Sequence, residues 1–251
     1  METKRVKEKS RISVLSIPLD ILTEEELTER IDAMLSDNNR HQIVLLGLWD
    51  FMRARRKNNF ARSVSTASLV LPTSKLVTWG AYILRSRRVN RYMPFAMVIR
   101  MLTLLETQGK SLYLIGGRPD LLQKAAANLR GSFPGLQIVG RCAGYFHRND
   151  EQNILLAIKK AAPSLVLVGQ GVPGSEEWLY KHRSDFAPGL GLWGADCIEI
   201  FSGRKQRASR ELWQSGLDFL PEILIHPWRL LRSFAYVWFF LLLLVYKLRK
   251  L

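Results

Sequence analysis

The stretch SLYLIGGRPDLLQKAAANLRGSFPGLQIV, residues 111–139, decides the fold class. A short apolar strand (111–115) runs into paired glycines, then a helical pattern (121–130), then a second apolar strand (136–139). The same order continues along the chain, with predicted elements at 151–161 (helix), 164–168 (strand) and 175–181 (helix). Strands that alternate with helices at this spacing predict βαβ units in a parallel sheet. We therefore expect an α/β, Rossmann-like domain that binds its ligand at the carboxyl ends of the strands.

Outside residues 111–181, shorter sequence patterns predict further helices and strands. Thr23 followed by Glu26 is a capping box, which predicts a helix from there to about residue 35. The other predicted elements are strands at 12–17, 43–48 and 69–71 and helices at 51–64 and 97–108. We expect three regions, which are a charged N-terminal segment (1–11), the Rossmann-like domain (12–203) and a basic helical appendage (204–251).

The composition indicates an anionic partner. The chain has 251 residues, and 37 Lys and Arg against 22 Asp and Glu give a formal net charge of +15. Nucleic acid, a phosphorylated small molecule or anionic lipid would each match that charge. Two cysteines exclude a disulfide-rich scaffold and a four-thiolate zinc site, and the four histidines lack paired spacing. We therefore expect no metal site built from cysteine or histidine.

The apolar tail FAYVWFFLLLLVY (234–246) differs from everything before it. Its 13 residues fall short of the 18 or more expected of a spanning helix. Residues 227–251 carry five cations and no acid, so cations stand on both sides of the apolar run. This pattern predicts insertion at or partly into an anionic membrane surface. A buried core helix or a contact in a homo-oligomer is the alternative.

Two glycine-rich loops follow predicted strands. Gly116 and Gly117, with Arg118 beside them, leave room for backbone N–H groups to meet an anion, and the loop 169–173 stands one βα unit later. Neither loop is a GxGxxG or Walker A motif, but the pair favours a ligand crevice. Tyr145 and Phe146 follow the predicted strand 136–139, which lies between the two loops in the sequence. Their rings either stack on a base or lie in the core.

Three stretches resemble the WecG/TagA/CpsF family of bacterial glycosyltransferases: GGRPDLLQKAAANLRGSFPGLQIVGRCAGYF (116–146), LVLVGQGVPGSEEW (165–178) and FSGRKQRAS (201–209). The resemblance implies inverting, metal-independent transfer of a sugar, typically N-acetylmannosamine, from a UDP-sugar donor, with no metal and no cofactor. The implied acceptor is a polyprenyl-diphosphate-linked sugar at the cytoplasmic face of the bacterial inner membrane. The candidate nucleotide-sugar residues are Gly116, Gly117, Arg118, Gly144, Tyr145, Phe146, Gly169, Gly171, Pro173, Glu176 and Glu199. The candidate diphosphate or acceptor residues are Arg204, Arg207, Arg229 and Arg232.

The chain departs from the family pattern on the catalytic side. Thr73 stands where the resemblance implies an Asp that acts as the general base, and a hydroxyl has no useful basicity without an activating partner. Asp50, which follows a strand end, is our first candidate for a substitute, ahead of Glu176, Asp196 and Glu199.

Three functions therefore remain open. The first is a working enzyme with a rearranged base. The second is a catalytically silent member that binds nucleotide-sugar or lipid-linked glycan and scaffolds a glycan-assembly complex. Nucleic-acid binding is disfavoured, because the basic clusters carry no known nucleic-acid module.

Overall fold

The structure, a computed structural model, describes residues 11–174, 176–207, 209–216 and 234–249. The strands are β1 (Arg11–Val14), β2 (Ile17–Asp20), β3 (Arg40–Leu46), β4 (Leu69–Pro72), β5 (Ser111–Ile115), β6 (Gln137–Cys142), β7 (Leu165–Val168) and β8 (Gly189–Trp193). The helices are α1 (Glu24–Ser36), α2 (Leu48–Ala54), α3 (Asn59–Thr66), α4 (Lys75–Arg85), α5 (Pro94–Thr107), α6 (Pro119–Ser132), α7 (Glu151–Ala161), α8 (Glu176–Lys181), α9 (Cys197–Phe201), α10 (Arg210–Ser215) and α11 (Phe234–Leu248).

The central sheet has six strands in the order β4-β3-β8-β7-β5-β6, and helices flank it. The pairs β3–β8, β7–β8, β5–β7 and β5–β6 are parallel. Strand β7 (LVLV) is buried at all four positions, as expected of a parallel strand covered on both faces. The predicted α/β, Rossmann-like class is confirmed.

The strand order changes direction at β5. The chain leaves β5 through α6 and pairs β6 on one side, whereas β7 pairs on the other side of β5 and leads on to β8. The connections that follow β5 and β7 therefore diverge at the carboxyl ends of two neighbouring strands. In open α/β sheets this switch point is where ligands bind.

The chain groups into two compact units. The described residues among 1–23, 45–93 and 208–251 form one, which we call the hairpin unit, and those among 24–44 and 94–207 form the other, the sheet unit. The sheet unit contains the switch point. The hairpin unit contains β1, β2, β4 and α11. The division into a domain at 12–203 and an appendage at 204–251 stays a prediction.

The first predicted strand was wrong, because the chain forms an antiparallel hairpin there. Strands β1 and β2 are joined by Leu15 and Ser16, which have φ of 48° and 70°. Two successive positive φ angles are typical of the tight turn that matches the twist of a hairpin. The buried Asp20 accepts two hydrogen bonds from Arg11, at 2.8 and 2.7 Å, and one from Val70 N at 2.7 Å. These bonds tie the hairpin to β4.

Other predicted elements need smaller corrections. The single helix expected over 51–64 is two helices, because the chain breaks at 55–58 and Asn58 caps the second one by accepting from Ala61 N at 2.8 Å. Helix α4, strand β8 and helix α9 were not predicted. The elements from β5 to α8 lie where the sequence pattern put them, with ends that differ by up to three residues.

The apolar tail is a 15-residue helix, α11, that buries two side chains against its own unit. Phe239 and Leu243 are 0% and 3% exposed. The Phe239 ring lies 5.8 Å from that of Phe51 on α2, at 89°, and contacts Gly80 of α4. Seven other apolar side chains of α11 are exposed: Val237, Trp238, Phe240, Leu241, Leu244, Val245 and Leu248. Within the described ranges, no helix has both the length and the apolarity to cross a bilayer.

Candidate functional site

Three loops at the ends of β5, β6 and β7 are bonded to one another through their backbones. Gly117 N donates to Gln170 O at 2.7 Å, and Gly144 N donates to Gly117 O at 2.9 Å. Tyr145 N donates to Gly171 O, also at 2.7 Å. The loops therefore form one compact platform at the switch point of the sheet unit.

The glycines of this platform are needed because the backbones approach so closely. A Cβ on Gly116 would lie 2.7 Å from the carbonyl carbon of Gly169, and one on Gly144 would lie 2.6 Å from Gln170 O. Gly116 also has a φ of +128°, which L side chains rarely adopt. Only residues without a side chain fit at these two positions.

The amides of Gly116 and Gly117 themselves bond within the protein, and an anion site at this loop stays a prediction. Gly116 N donates to Cys142 O at 2.9 Å and Gly117 N donates to Gln170 O, so both groups are used inside the protein. The sequence pattern of glycines after a strand does not separate an amide offered to a ligand from an amide offered to a neighbouring loop.

Glu199 brings an unsatisfied carboxylate to this platform. Its Oε1 lies 3.8 Å from the point that a Cβ on Gly117 would occupy. Its Oε2 is buried and has no hydrogen-bond partner within the described residues. Burial raises the pKa of the Glu199 carboxyl above its ordinary value. A buried oxygen without a partner is costly, so Glu199 is suited to accept hydrogen bonds from hydroxyl or amide groups of a ligand.

The two aromatic candidates that follow β6 have different surroundings. Tyr145 is 66% exposed, and its ring lies over Gly171, where a Cβ would come within 2.6 Å of it. Phe146 packs against the buried cluster that contains Ile115 and Trp178. Tyr145 is therefore available to stack on a base, whereas Phe146 has a core position.

Polar side chains beside the platform form a chain of contacts. Asp196 accepts hydrogen bonds from Gln170 in the β7 loop and from Lys205 after α9. The backbone N–H groups of Arg204 and Lys205 both donate to Glu199 O, at 3.0 Å each. These bonds fix the segment that carries Arg204 to helix α9. Sequence reasoning did not single out Gln170 or Lys205 for this site.

The remaining candidates of the sheet unit lie at its surface or in its core. The Arg118 side chain is 64% exposed and its Nε lies 3.8 Å from Asp120 Oδ1. Arg207 and Pro173 are exposed. Glu176 is 6% exposed at the start of α8, and its carbonyl oxygen accepts from Gln42 Nε2 at 3.0 Å. Arg229 and Arg232 lie outside the described residues.

In the hairpin unit, the two catalytic candidates surround Gly47. A Cβ on Gly47 would lie 3.5 Å from Asp50 Oδ2 and 3.6 Å from Thr73 Oγ1. Asp50 is in the first turn of α2, directly after β3, and Thr73 follows β4. Thr73 N donates to Leu46 O at 3.0 Å, which holds the ends of the two strands together. The carboxylate and the hydroxyl thus share one small region.

Arg91 fixes the loop that carries Thr73. Its Nε donates to Thr73 O at 2.7 Å, its guanidinium carbon lies 3.5 Å from the centre of the Trp213 ring, and its Nη1 donates to Trp213 O. Lys75 Nζ donates to Ser215 O at 3.1 Å and holds the same segment. Sequence reasoning missed Arg91 as a site residue. The available signal was in residues 91–96 (RYMPFA), where the resemblance implies an Arg-x-x-Gly-x-Asp motif and only the arginine is present.

A comparison with known proteins decides the family. A sequence model of the Glycosyl transferase WecG/TagA/CpsF family matches residues 12–251. The chain belongs to this family. It is 22% identical over 213 residues to the N-acetylglucosaminyldiphosphoundecaprenol N-acetyl-beta-D-mannosaminyltransferase of Bacillus subtilis (strain 168), a match that covers 84% of this chain and 78% of the relative. The protein of the same name from Bacillus spizizenii (strain ATCC 23059 / NRRL B-14472 / W23) is 23% identical over 184 residues, which are 72% of this chain and 70% of that relative.

Membership of the WecG/TagA/CpsF family confirms the resemblance and makes this chain a glycosyltransferase by class. Within the described part of the chain, no group of three or more His, Cys, Asp and Glu side chains is placed to hold a metal ion.

Proposed function

We propose that this protein transfers an N-acetylhexosamine, similar to N-acetylmannosamine, from a UDP donor to a polyprenyl-diphosphate-linked acceptor, with inversion and without a metal ion. The names of both relatives describe transfer of N-acetylmannosamine to an undecaprenyl-diphosphate-linked sugar, which supports the acceptor class. Inversion and metal independence rest on the family resemblance.

The observation that carries the donor site is the unsatisfied Glu199 carboxylate at the switch point. In this proposal Glu199 accepts hydrogen bonds from the ribose or the uracil ring, and Tyr145 stacks on the base. Arg204 and Lys205, whose backbones are bonded to Glu199 O, supply positive charge for the departing diphosphate.

The general base in this proposal is Asp50. The acceptor hydroxyl oxygen forms the new bond to the anomeric carbon, Asp50 takes the hydroxyl proton, and the bond to UDP breaks with its electron pair on the diphosphate. The Thr73 side chain, which lies near the same point beside Gly47, has no basicity of its own at neutral pH. Arg91 is a positioning residue, since it holds the Thr73 carbonyl rather than a reacting atom.

The exposed apolar side chains of α11 support membrane association. Val237, Leu241, Leu244 and Leu248 follow the spacing i, i+4, i+7, i+11 and are all exposed; we call them the exposed stripe. A helix with one apolar face on its own protein and another facing outwards is suited to lie in the plane of a membrane surface. We propose that α11 anchors the enzyme to the cytoplasmic face of the inner membrane. An exposed patch of this kind also fits a second copy of the chain.

The test is a transfer assay on the full chain in detergent, with UDP-N-acetylmannosamine or UDP-N-acetylglucosamine and a short-chain lipid-diphosphate acceptor. Asp50→Asn removes the base but keeps the size of the side chain, and we expect kcat to fall about 10²–10⁴-fold. Glu29→Gln, at an exposed carboxylate of α1 away from every candidate residue, is the matched control and should leave kcat unchanged. The double variant D50N/T73D returns a carboxylate to the family position and should recover part of the loss.

Three results would count against the proposal. Full activity in D50N would exclude Asp50 as the base. Transfer that disappears on chelation of divalent ions would contradict metal independence. Binding of UDP-sugar without transfer from any donor would make the protein a silent family member.

A further inference from the structure

An open cleft of about 560 Å³ lies in the hairpin unit. One wall is the turn of the first hairpin (15–18). The other is the connection between α2 and α3 (54–59) with the first turns of α3. None of the described residues that line the cleft belongs to the candidate catalytic or nucleotide residues. The cleft is therefore a feature that the proposed transfer reaction does not use.

The charge of the cleft is one-sided. Arg55, Arg56, Lys57 and Arg62 line it, and none of its described lining residues is acidic. Arg56, Lys57 and Arg62 are exposed, and none of the four side chains forms an ion pair with a described residue. Four cations around one concave surface repel one another. An anion in the cleft would relieve that repulsion.

The cleft adjoins the C-terminal end of α11. Ser16, at the tip of the hairpin wall, has its Oγ 3.4 Å from the Tyr246 hydroxyl, so the two elements meet there. Lys247 and Arg249 follow on the exposed end of the helix. A helix that lies in a membrane surface buries its apolar face only about 5–10 Å, at the boundary of headgroups and acyl chains. A cationic cleft in contact with such a helix would face lipid phosphates.

We propose that this cleft binds the phosphate-bearing headgroup of an anionic phospholipid. The inference rests on the membrane association proposed above and adds a lipid preference to it. The volume exceeds what one phosphate ion needs and lies within the usual range of small-molecule sites, which suits a glycerophosphate headgroup. The exposed Asn59 side chain of the lining supplies hydrogen-bond donors for its hydroxyl and ester oxygens, whereas Asn58 and Ser65 already donate to Arg53 O and Arg62 O.

The test is flotation of the full chain with vesicles of phosphatidylcholine alone or mixed with phosphatidylglycerol, at about 0.15 M salt. The cleft variant is R56Q/K57Q/R62Q. The control K124Q/R130Q/K160Q removes the same charge from exposed positions on α6 and α7. Each cation near an anionic surface contributes about fivefold to binding, so the cleft variant should lose about a hundredfold on anionic vesicles. The control keeps all four cations of the cleft, so it should lose much less than the cleft variant. Thermal unfolding checks that both variants stay folded.

Each outcome is decisive. Equal losses in the two variants would mean that overall charge alone attracts the membrane, which overturns the cleft proposal and leaves membrane association standing. An unchanged cleft variant would overturn it as well. Wild-type protein that floats with neither vesicle would refute membrane association and the cleft proposal together. Release of wild-type protein from anionic vesicles by millimolar glycerol 1-phosphate, to the level of the cleft variant, would support a headgroup site. Binding of glycerol 1-phosphate by a protein that shows no preference for anionic vesicles would identify a free-phosphate site instead.

Discussion

Gly116→Ala should destabilise the protein strongly, because Gly116 is the point where two loops of the platform touch. A Cβ there would lie 2.7–2.8 Å from the N, Cα and C atoms of Gly169. These are backbone atoms at the end of a buried strand, so they cannot rotate away as a side chain would. The φ of +128° at Gly116 adds strain for any residue with a Cβ.

Two contributions set how far Gly116→Ala lowers the free energy of unfolding. A non-glycine residue in a sparsely populated backbone region costs about 1–3 kcal/mol. Overpacking in a close-packed region costs about 1–3 kcal/mol more. We therefore expect the free energy of unfolding to fall by about 2–6 kcal/mol, a large fraction of the 5–15 kcal/mol of a typical domain. UDP binding should fall with it, because the same loops position Glu199 and Tyr145.

The assay is urea unfolding followed by tryptophan fluorescence, with two matched glycine controls. Gly109 has a φ of +61° but open space around it, so Gly109→Ala should show only the backbone strain, about 1–2 kcal/mol. Gly131 lies in α6 with nothing within 4 Å of a Cβ, and Gly131→Ala should be neutral or stabilising by up to about 1 kcal/mol. If Gly116→Ala unfolds at the same urea concentration as Gly109→Ala, the close contact with Gly169 is not there.

Two further predictions concern Glu199 and α11. Burial raises the pKa of Glu199, so between the ordinary and the raised value the folded protein holds a proton that the unfolded chain has lost. Wild-type stability should therefore fall relative to Glu199→Gln as pH rises through that window, in thermal melts over a pH series; a constant difference would contradict the buried carboxylate. On α11, Phe239→Ala removes a side chain that is 0% exposed and should cost about 3–5 kcal/mol. The exposed-stripe variant L241S/L244S/L248S should unfold within about 1 kcal/mol of wild type yet lose vesicle binding. Retained binding would exclude the exposed stripe as the anchor.

The sheet unit was predictable where its strands are continuous apolar runs that end in glycine. Strands β5 and β7 have this pattern, and the βαβ spacing of the elements around them predicts the parallel arrangement. Strand β8 was missed because packing requires glycines inside it. A Cβ on Gly189 would come within 2.8 Å of Pro163 O, and one on Gly191 within 3.0 Å of the Leu179 side chain. Those glycines remove the apolar pattern that would have revealed the strand.

Residues of the candidate site could be predicted from the sequence only where they follow the end of a predicted strand. Asp50 was chosen because it follows a strand, and the structure brings it to the same region as Thr73 because β3 and β4 are neighbours in the sheet. Arg91 follows no strand, so no rule of position pointed to it. Tyr145 and Phe146 are adjacent, and no periodicity separates the exposed ring from the core ring. Their difference comes from the φ of +58° at Tyr145, which turns its ring onto Gly171.

The geometry around Gly47 also gives a reason why this chain has an acid at position 50 and none at position 73. Thr73 is fixed by backbone bonds to Leu46 and Arg91, so a replacement side chain would start from the same place. A carboxylate there would lie close to the Asp50 carboxylate beside Gly47, and two like charges in one small region cannot both ionise freely. Thr73→Asp alone should therefore raise the pKa of one carboxyl and shift the acidic limb of the pH–rate profile upwards. In D50N/T73D the repulsion is absent and a single base remains, which is why the double variant, rather than T73D alone, should recover activity near neutral pH.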